Sequence, residues 1–484
     1  MRKLIISVLI GLISVTTATA QSSDDEAKNL NSLVRELTTL SRANDVADQQ
    51  ERGKIFHERI ELADTILKHP DIEENQRVFA ELTKLQSFGY LYAIDQRETK
   101  DKESESQSEL LKQYQELIDR LIKDDSERIT LEAISANANL ATGLYVKNPD
   151  TKNANSVVSA LKQLVALAPK DPIIQTTRRL LLERIWNSEE PLPLFQALSD
   201  DGDKAAAIVI PAIKDQSKRE AAEFKWAKHY SKFSDFVAMH RLAKMYEQGK
   251  GTRTNNTQAA RWYEKLARLG DLNALTKLGD FYLVGKGYSV DAKTAVDYYQ
   301  KASTAGYRVA QFKLGECFRT GSGVEQSEEN WKKWIKNAAF NANTVEVQKL
   351  YETVDFKQAP DSFQIFYDVL VDQNPGDIYY LNNLAYSLLL GSNKSPKRSL
   401  ELIDEAIATA PDDFEGLANF QDTRAHALKH LGKYKEAATI FESVLDQLDD
   451  KKSILEALVE CYTKIDDETK AEEYRVKLGE LKEK

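Results

Sequence analysis

From residue 24 onward, apolar residues recur every three or four positions along almost the whole chain. That spacing puts one stripe on one face of a helix, so the pattern predicts a long succession of amphipathic helices. Leu30, Leu33, Val34, Leu37 and Leu40 form one stripe. Ile55, Phe56, Ile60, Leu62, Ile66 and Leu67 form the next, which stops at His69-Pro70, and Val78, Leu82, Leu85, Phe88 and Tyr92 form a third. Residues 95–109 are nearly all charged or polar and are expected as an exposed loop or a poorly ordered hinge. Helical patterning resumes at Leu110, Leu111, Tyr114, Leu117, Ile118 and Leu121. Val157 to Leu167, closed by Ala168-Pro169, reads as the second helix of a hairpin, with Ile173 to Trp186 as the next helix.

The middle of the chain repeats itself. Leu242, Leu278 and Leu314 stand 36 residues apart, as do Tyr246, Tyr282 and Phe318, and the pairs Gly249/Gly251, Gly285/Gly287 and Gly321/Gly323. Trp226, Trp262, Tyr298 and Trp334 keep the same step through four units. A fixed period of this length means stacked helical hairpins. The Gly-x-Gly pair ends the first helix, because glycine reaches the left-handed conformation that stops one. Asn255, Asp291 and Ser327 are N-capping types at the expected start of the second helix. Ala259 and Ala295 let helices approach, and the aromatic column is expected to fill the gap between layers. Trp331 stands where the third unit should carry the small residue, so its packing must differ.

These residues resemble the Sel-one-like repeat family, a helical-hairpin relative of the tetratricopeptide repeat, over about 203–342. Further on, Asn382-Asn383-Leu384-Ala385-Tyr386 opens a hairpin whose second helix holds Leu402, Ile403 and Ala406 and ends at Ala410-Pro411. Leu431-Gly432-Lys433-Tyr434-Lys435-Glu436-Ala437 and Phe441 resemble the turn and second helix of a tetratricopeptide repeat, and Val459, Tyr462, Ala471 and Tyr474 a third, looser one. Asp361 to Asn374, ending at Pro375, reads as a helix before them. Gln421 and Arg424 depart from that family by standing where it usually buries apolar groups. The expected fold is all-α, a right-handed superhelical solenoid of helical hairpins. Its expected parts are 21–202, an N-terminal helical-repeat region; 203–345, the Sel-one-like array; and 346–484, the tetratricopeptide array.

Composition agrees with long helices and removes several functions. Glycine (20 of 484) and proline (11) are scarce, and 29% of residues are charged. A formal charge of -10 makes nucleic acid an unsuitable partner. Arg2 and Lys3, an apolar run from Leu4 to about Val15 and then Ala18-Thr19-Ala20 have the form of an export signal. Cleavage is expected after Ala20, giving a periplasmic or secreted protein with no stable membrane span.

Catalytic and metal readings find little support in the residues. Gly249-Lys250 and Gly285-Lys286 suggest a phosphate loop, but that loop needs four residues between its glycines and Ser or Thr after the lysine. Here Gly279 to Gly285 has five between, and glycine follows the lysine. Asp422, His426 and His430 share a helix face at metal-binding spacing but have no obvious fourth ligand. Cys317 and Cys461 lie in different arrays and are expected as free thiols. No Gly-x-Ser-x-Gly elbow appears. No cofactor, metal or catalytic residue is therefore assigned, and the chain is not read as an enzyme.

The remaining expectation is surface recognition. A hairpin solenoid lines its groove with first helices. In the C-terminal array the inward candidates are Tyr379, Asn382, Tyr386, Asn419, Asp422, His426, Lys429, Glu456 and Glu460. Aromatic, amide and charged groups together suit a protein or peptide ligand exposing backbone and basic side chains. They are expected to face solvent in the free protein. The resemblance implies partner binding without naming the partner, and the lysine-and-asparagine arrangement that clamps a C-terminal carboxylate in some family members is missing. The expected function is an exported, non-enzymatic scaffold. The alternative is an enzyme or accessory factor in cell-wall or exopolysaccharide assembly, although the cysteine pair per repeat of the enzyme-assigned subgroup is missing.

Overall fold

The computed structural model describes residues 24–42, 49–98, 105–167, 169–411 and 413–482. The export signal and its cleavage point lie outside them. The described residues form 24 α-helices with three short 3-10 turns and no strand. Contacts divide the chain between Asp235 and Phe236.

The first unit contains α1 (Asp24–Arg42), α2 (Gln49–Leu67), α3 (Glu74–Glu98), α4 (Glu105–Leu121), α5 (Glu127–Lys147), α6 (Thr151–Leu167), α7 (Pro172–Trp186), α8 (Leu192–Asp200), α9 (Lys204–Lys214) and α10 (Arg219–Tyr230). The apolar stripes read from sequence do become core. Leu30 and Leu37 pack with Ala63, Ile66 and Ala80, while Leu82, Leu85 and Phe88 pack with Tyr114, Leu117, Ile118 and Leu121. Part of the segment expected as a loop over 95–109 is helical instead, and residues 99–104 of it lie outside the described residues. Helix α3 runs on to Glu98 and α4 begins at Glu105. Helix α5 was not anticipated at all, although its Ile129, Ala133 and Leu140 join the core of α3 and α4.

Trp226 is completely buried in this unit. It packs at 5.6 Å on Trp186 and 4.9 Å on Tyr230, and its Nε1 donates to Glu183. Nearby, the buried Arg179 guanidinium bonds Asp235 at 2.7 Å and Glu183 at 2.8 Å. A charge this deep needs such partners, since desolvating it alone would cost several kcal/mol.

The second unit is a run of hairpins: α11 (Phe236–Gln248) with α12 (Asn256–Arg268), α13 (Leu272–Val284) with α14 (Ala292–Thr304), and α15 (Arg308–Thr320) with α16 (Glu328–Ala339). After α17 (Thr344–Thr353) come α18 (Pro360–Gln373), α19 (Ile378–Leu390) with α20 (Pro396–Thr409), α21 (Leu417–His430) with α22 (Tyr434–Val444), and α23 (Lys451–Lys464) with α24 (Glu468–Lys482).

Each repeat column now has a contact. Asn255, Asp291 and Ser327 all accept the backbone N–H three residues on, as N-caps. Gly285 and Gly321 end their helices with φ of 74° and 73°. The second glycine of the pair also meets the preceding repeat: a Cβ on Gly323 would lie 2.1 Å from the Ala292 carbonyl oxygen. The aromatic column behaves differently from the expectation. Trp262, Tyr298 and Trp334 are only partly buried, and the position one residue on, Tyr263, Tyr299 and Ile335, points into the core. One residue is about 100° of helix rotation, enough to turn the side chain from the layer edge to its centre.

Candidate functional site

The first helices α19, α21 and α23 carry the residues singled out from sequence. Asn382 and Tyr386 on α19 have the same spacing as Asp422 and His426 on α21, forty residues later. Asp422 is half-buried. Its Oδ1 is buried, accepts no hydrogen bond, and lies 3.7 Å from His426 Nε2. Burial, reinforced by the charge of Asp450, pushes the Asp422 carboxyl up to about 6. Burial, with Lys429 and His430 adding to it, pushes His426 down to about 4. The two shifts leave a neutral imidazole beside a carboxylate at pH 7, so their proximity is not an ion pair. His426 instead packs edge-on against Phe441, with ring centroids 4.9 Å apart.

Asn382 carries a second unsatisfied acceptor: its Oδ1 is buried with no donor, while its Nδ2 makes a long 3.4 Å contact to Asn383. Tyr386 faces solvent only in part. It is half-buried and stacks on Phe356 at 5.5 Å, and burial together with the charge of Asp422 raises its phenol. Lys429 is held by Glu460 at 2.6 Å. Asn419 and Glu456 are exposed, the latter 4.0 Å from Lys452 on its own helix. The structure therefore gathers Tyr386, Asp422, His426 and, through Asp450, the head of α23. Tyr379 lies apart, exposed beside Phe414 and Phe420. Asp450 was not anticipated, although its place at the N-cap of α23, accepting from the Ser453 N–H, follows an ordinary capping pattern.

Around α13, α15 and α17 a polar hollow of about 170 Å³ includes Lys277, Asp280, Tyr307, Lys349 and Glu352. Asp280 is fully engaged there, accepting from the Tyr299 hydroxyl and pairing with Lys313 at 2.8 Å. Trp331 explains its odd place in the repeat. Its Nε1 donates to the buried Ser362 Oγ of α18 at 2.7 Å, and that hydroxyl bonds Glu316. A large residue closes the array at this point because a different partner helix lies beyond it.

Among the described residues, no three His, Cys, Asp or Glu side chains converge to hold a metal ion, and no helix is long and apolar enough to cross a membrane. Both cysteines are buried and free, and burial pushes each thiol up to about 11.

The Sel1 repeat family model matches residues 237–271, 272–307 and 308–338. No curated protein matches the chain. Among solved structures, a Sel1 repeat protein from Oxalobacter formigenes is 17% identical, with 60% of this chain and 99% of that one covered and a TM-score of 0.32. The protective antigen c5321 of uropathogenic Escherichia coli strains, which displays an SLR fold, is 13% identical, with 90% and 94% covered and a TM-score of 0.37. Repeats of this kind generally mediate protein–protein interaction, and scaffolds built from them are typically non-catalytic. The described residues are all-α and pack largely as helical hairpins, and residues 237–338 match three Sel1 repeats.

Proposed function

We propose that the chain is an exported, non-enzymatic scaffold that binds a partner polypeptide on the first-helix face of α19, α21 and α23. The observation that carries this reading is a repeated lack of satisfaction. Asn382 Oδ1 and Asp422 Oδ1 stand at equivalent places on successive hairpins, and neither receives a hydrogen bond. A buried acceptor without a donor costs about 1–3 kcal/mol, so both oxygens favour an incoming donor. Rotation of either side chain offers its oxygen to an incoming backbone N–H or basic group, which recovers that cost on binding. Export rests on the basic, apolar and Ala-Thr-Ala order of residues 2–20.

The mature protein, used as bait against its own envelope fraction, should retain defined polypeptides. The Asn382→Ala/Asp422→Asn double variant, folded by circular dichroism, should retain at least tenfold less. Equal retention would remove this face as the site. Turnover of cell-wall fragments by the purified protein would overturn the non-enzymatic reading, and an exported chain whose intact mass includes Met1 would overturn cleavage after Ala20.

A further inference from the structure

At the head of α19 three rings hold one another in place. Tyr379 meets Phe414 at 5.8 Å and 75° and Phe420 at 6.3 Å and 86°, while Phe414 and Phe420 are 4.9 Å apart. Phe420 is buried, yet Tyr379 remains 59% exposed. The loop before α21 is shaped around this cluster. Gly416 leaves room for the Phe414 ring, whose Cζ would lie 2.4 Å from a Cβ at that position. Tyr379, Phe414, Pro411 and Gly416 thus wall a hollow open to solvent, and Asp413 and Glu415 complete its lining with exposed side chains. Among the described residues, neither carboxylate has a cation within ion-pairing distance.

We propose that this hollow receives the guanidinium of an arginine in the partner polypeptide, stacked on Tyr379 and hydrogen-bonded to Asp413 and Glu415. The inference rests on the scaffold reading and adds the chemistry of the partner. An aromatic face attracts a cation, and two carboxylates at the same place favour a charge of +1 or more. An acidic or purely apolar occupant would leave both carboxylates repelled or desolvated without a partner. Arginine suits the site better than lysine. Its guanidinium is flat and weakly hydrated, stacks on a ring, and donates through several N–H groups at once, whereas an ammonium is a compact, strongly hydrated point charge. The ring cluster is already fixed in the free protein, so little side-chain entropy is lost on docking.

The test uses the full mature chain and a fluorescein-labelled nonapeptide of alternating arginine and serine, read by anisotropy at physiological salt. The same peptide with citrulline keeps the shape without the charge, and one with lysine keeps the charge without the plane. The arginine peptide should bind at least tenfold more tightly than the citrulline peptide and at least threefold more tightly than the lysine peptide. Tyr379→Ala and Asp413→Asn/Glu415→Gln should each weaken it at least fivefold. Glu401→Gln/Glu405→Gln removes the same charge from the exposed face of α20 and should leave affinity within twofold. An equal loss in that control would show attraction by net charge alone and overturn the site. Unchanged binding by Tyr379→Ala, or a lysine peptide binding equally well, would overturn the stacked guanidinium. These residues are distinct from Asn382 and Asp422. Loss of native partner in the Asn382/Asp422 variant, with no effect at Tyr379, would therefore defeat this inference and leave the scaffold reading standing.

Discussion

Gly279 lies directly beneath the ring of Tyr299: a Cβ at Gly279 would come within 2.5 Å of the Tyr299 Cε1. The ring cannot easily move aside, because it is 1% exposed and its hydroxyl donates to Asp280 at 2.7 Å. The next repeat reproduces the arrangement, with Gly315 under Ile335 at 2.8 Å. Ala243 occupies the same column one repeat earlier. Small residues on the first helix thus receive the large inward residue of the second. Gly279→Ala gains about 1 kcal/mol of helix propensity but overpacks a rigid contact at about 1–3 kcal/mol. A net loss of about 1 kcal/mol is expected, read as a lower urea midpoint, and a more stable variant would show that Tyr299 yields.

Gly323 and Gly432 separate two costs that sequence alone cannot. Their φ angles are 76° and 77°, so alanine pays the same backbone penalty at both. Nothing lies within 4 Å of a Cβ on Gly432, whereas one on Gly323 meets the Ala292 carbonyl at 2.1 Å. Gly432→Ala should lose about 1–2 kcal/mol, and Gly323→Ala about 1–3 kcal/mol more, because neighbouring repeats must separate. Equal denaturation midpoints for the two variants would show that the inter-repeat approach contributes nothing.

Trp226 and Trp262, two of the three tryptophans in the 36-residue column, should differ in the same assay. Trp226 is 0% exposed and hydrogen-bonded to Glu183, while Trp262 is only partly buried, with Lys265 over its ring at 5.2 Å. Trp226→Ala should therefore cost about 3–5 kcal/mol, the range for a fully buried aromatic, and Trp262→Ala clearly less. A larger loss at Trp262 would restore the inward orientation expected for that column.

What was legible in the sequence is what a period can encode. The 36-residue step located the capping residues and the turn glycines, since those depend on backbone conformation within one repeat. It could not say which of two adjacent aromatic columns faces inward, because both recur with the same step and only packing between layers separates them. Nor could it show that Tyr386 would stack on Phe356, since Phe356 belongs to a 3-10 turn with no repeat signature. Asp450 escaped notice for a similar reason: it is 28 residues from Asp422 in the chain, and only the hairpin brings their charges into range.

The final prediction uses that pairing of charges. Asp422 titrates near 6 in the folded protein against 3.8 in the reference state, so the fold holds more protons than the unfolded chain between about pH 4 and 6. Stability from this group therefore falls as pH rises through that window. His426 titrates near 4 against 6.5, so the fold holds fewer protons between about pH 4 and 6.5, and its contribution to stability rises with pH. The two slopes oppose each other in the wild type. Burial is the leading cause of both shifts, so each variant should expose the remaining slope. Relative to wild type, Asp422→Asn should gain stability as pH rises from 4 to 6, and His426→Gln should lose it. Each difference should span about 2–3 kcal/mol, from shifts of about two units at about 1.4 kcal/mol each. Urea denaturation at half-unit pH steps measures both curves. Two flat difference curves would mean that the groove is open to water and that neither group is desolvated there.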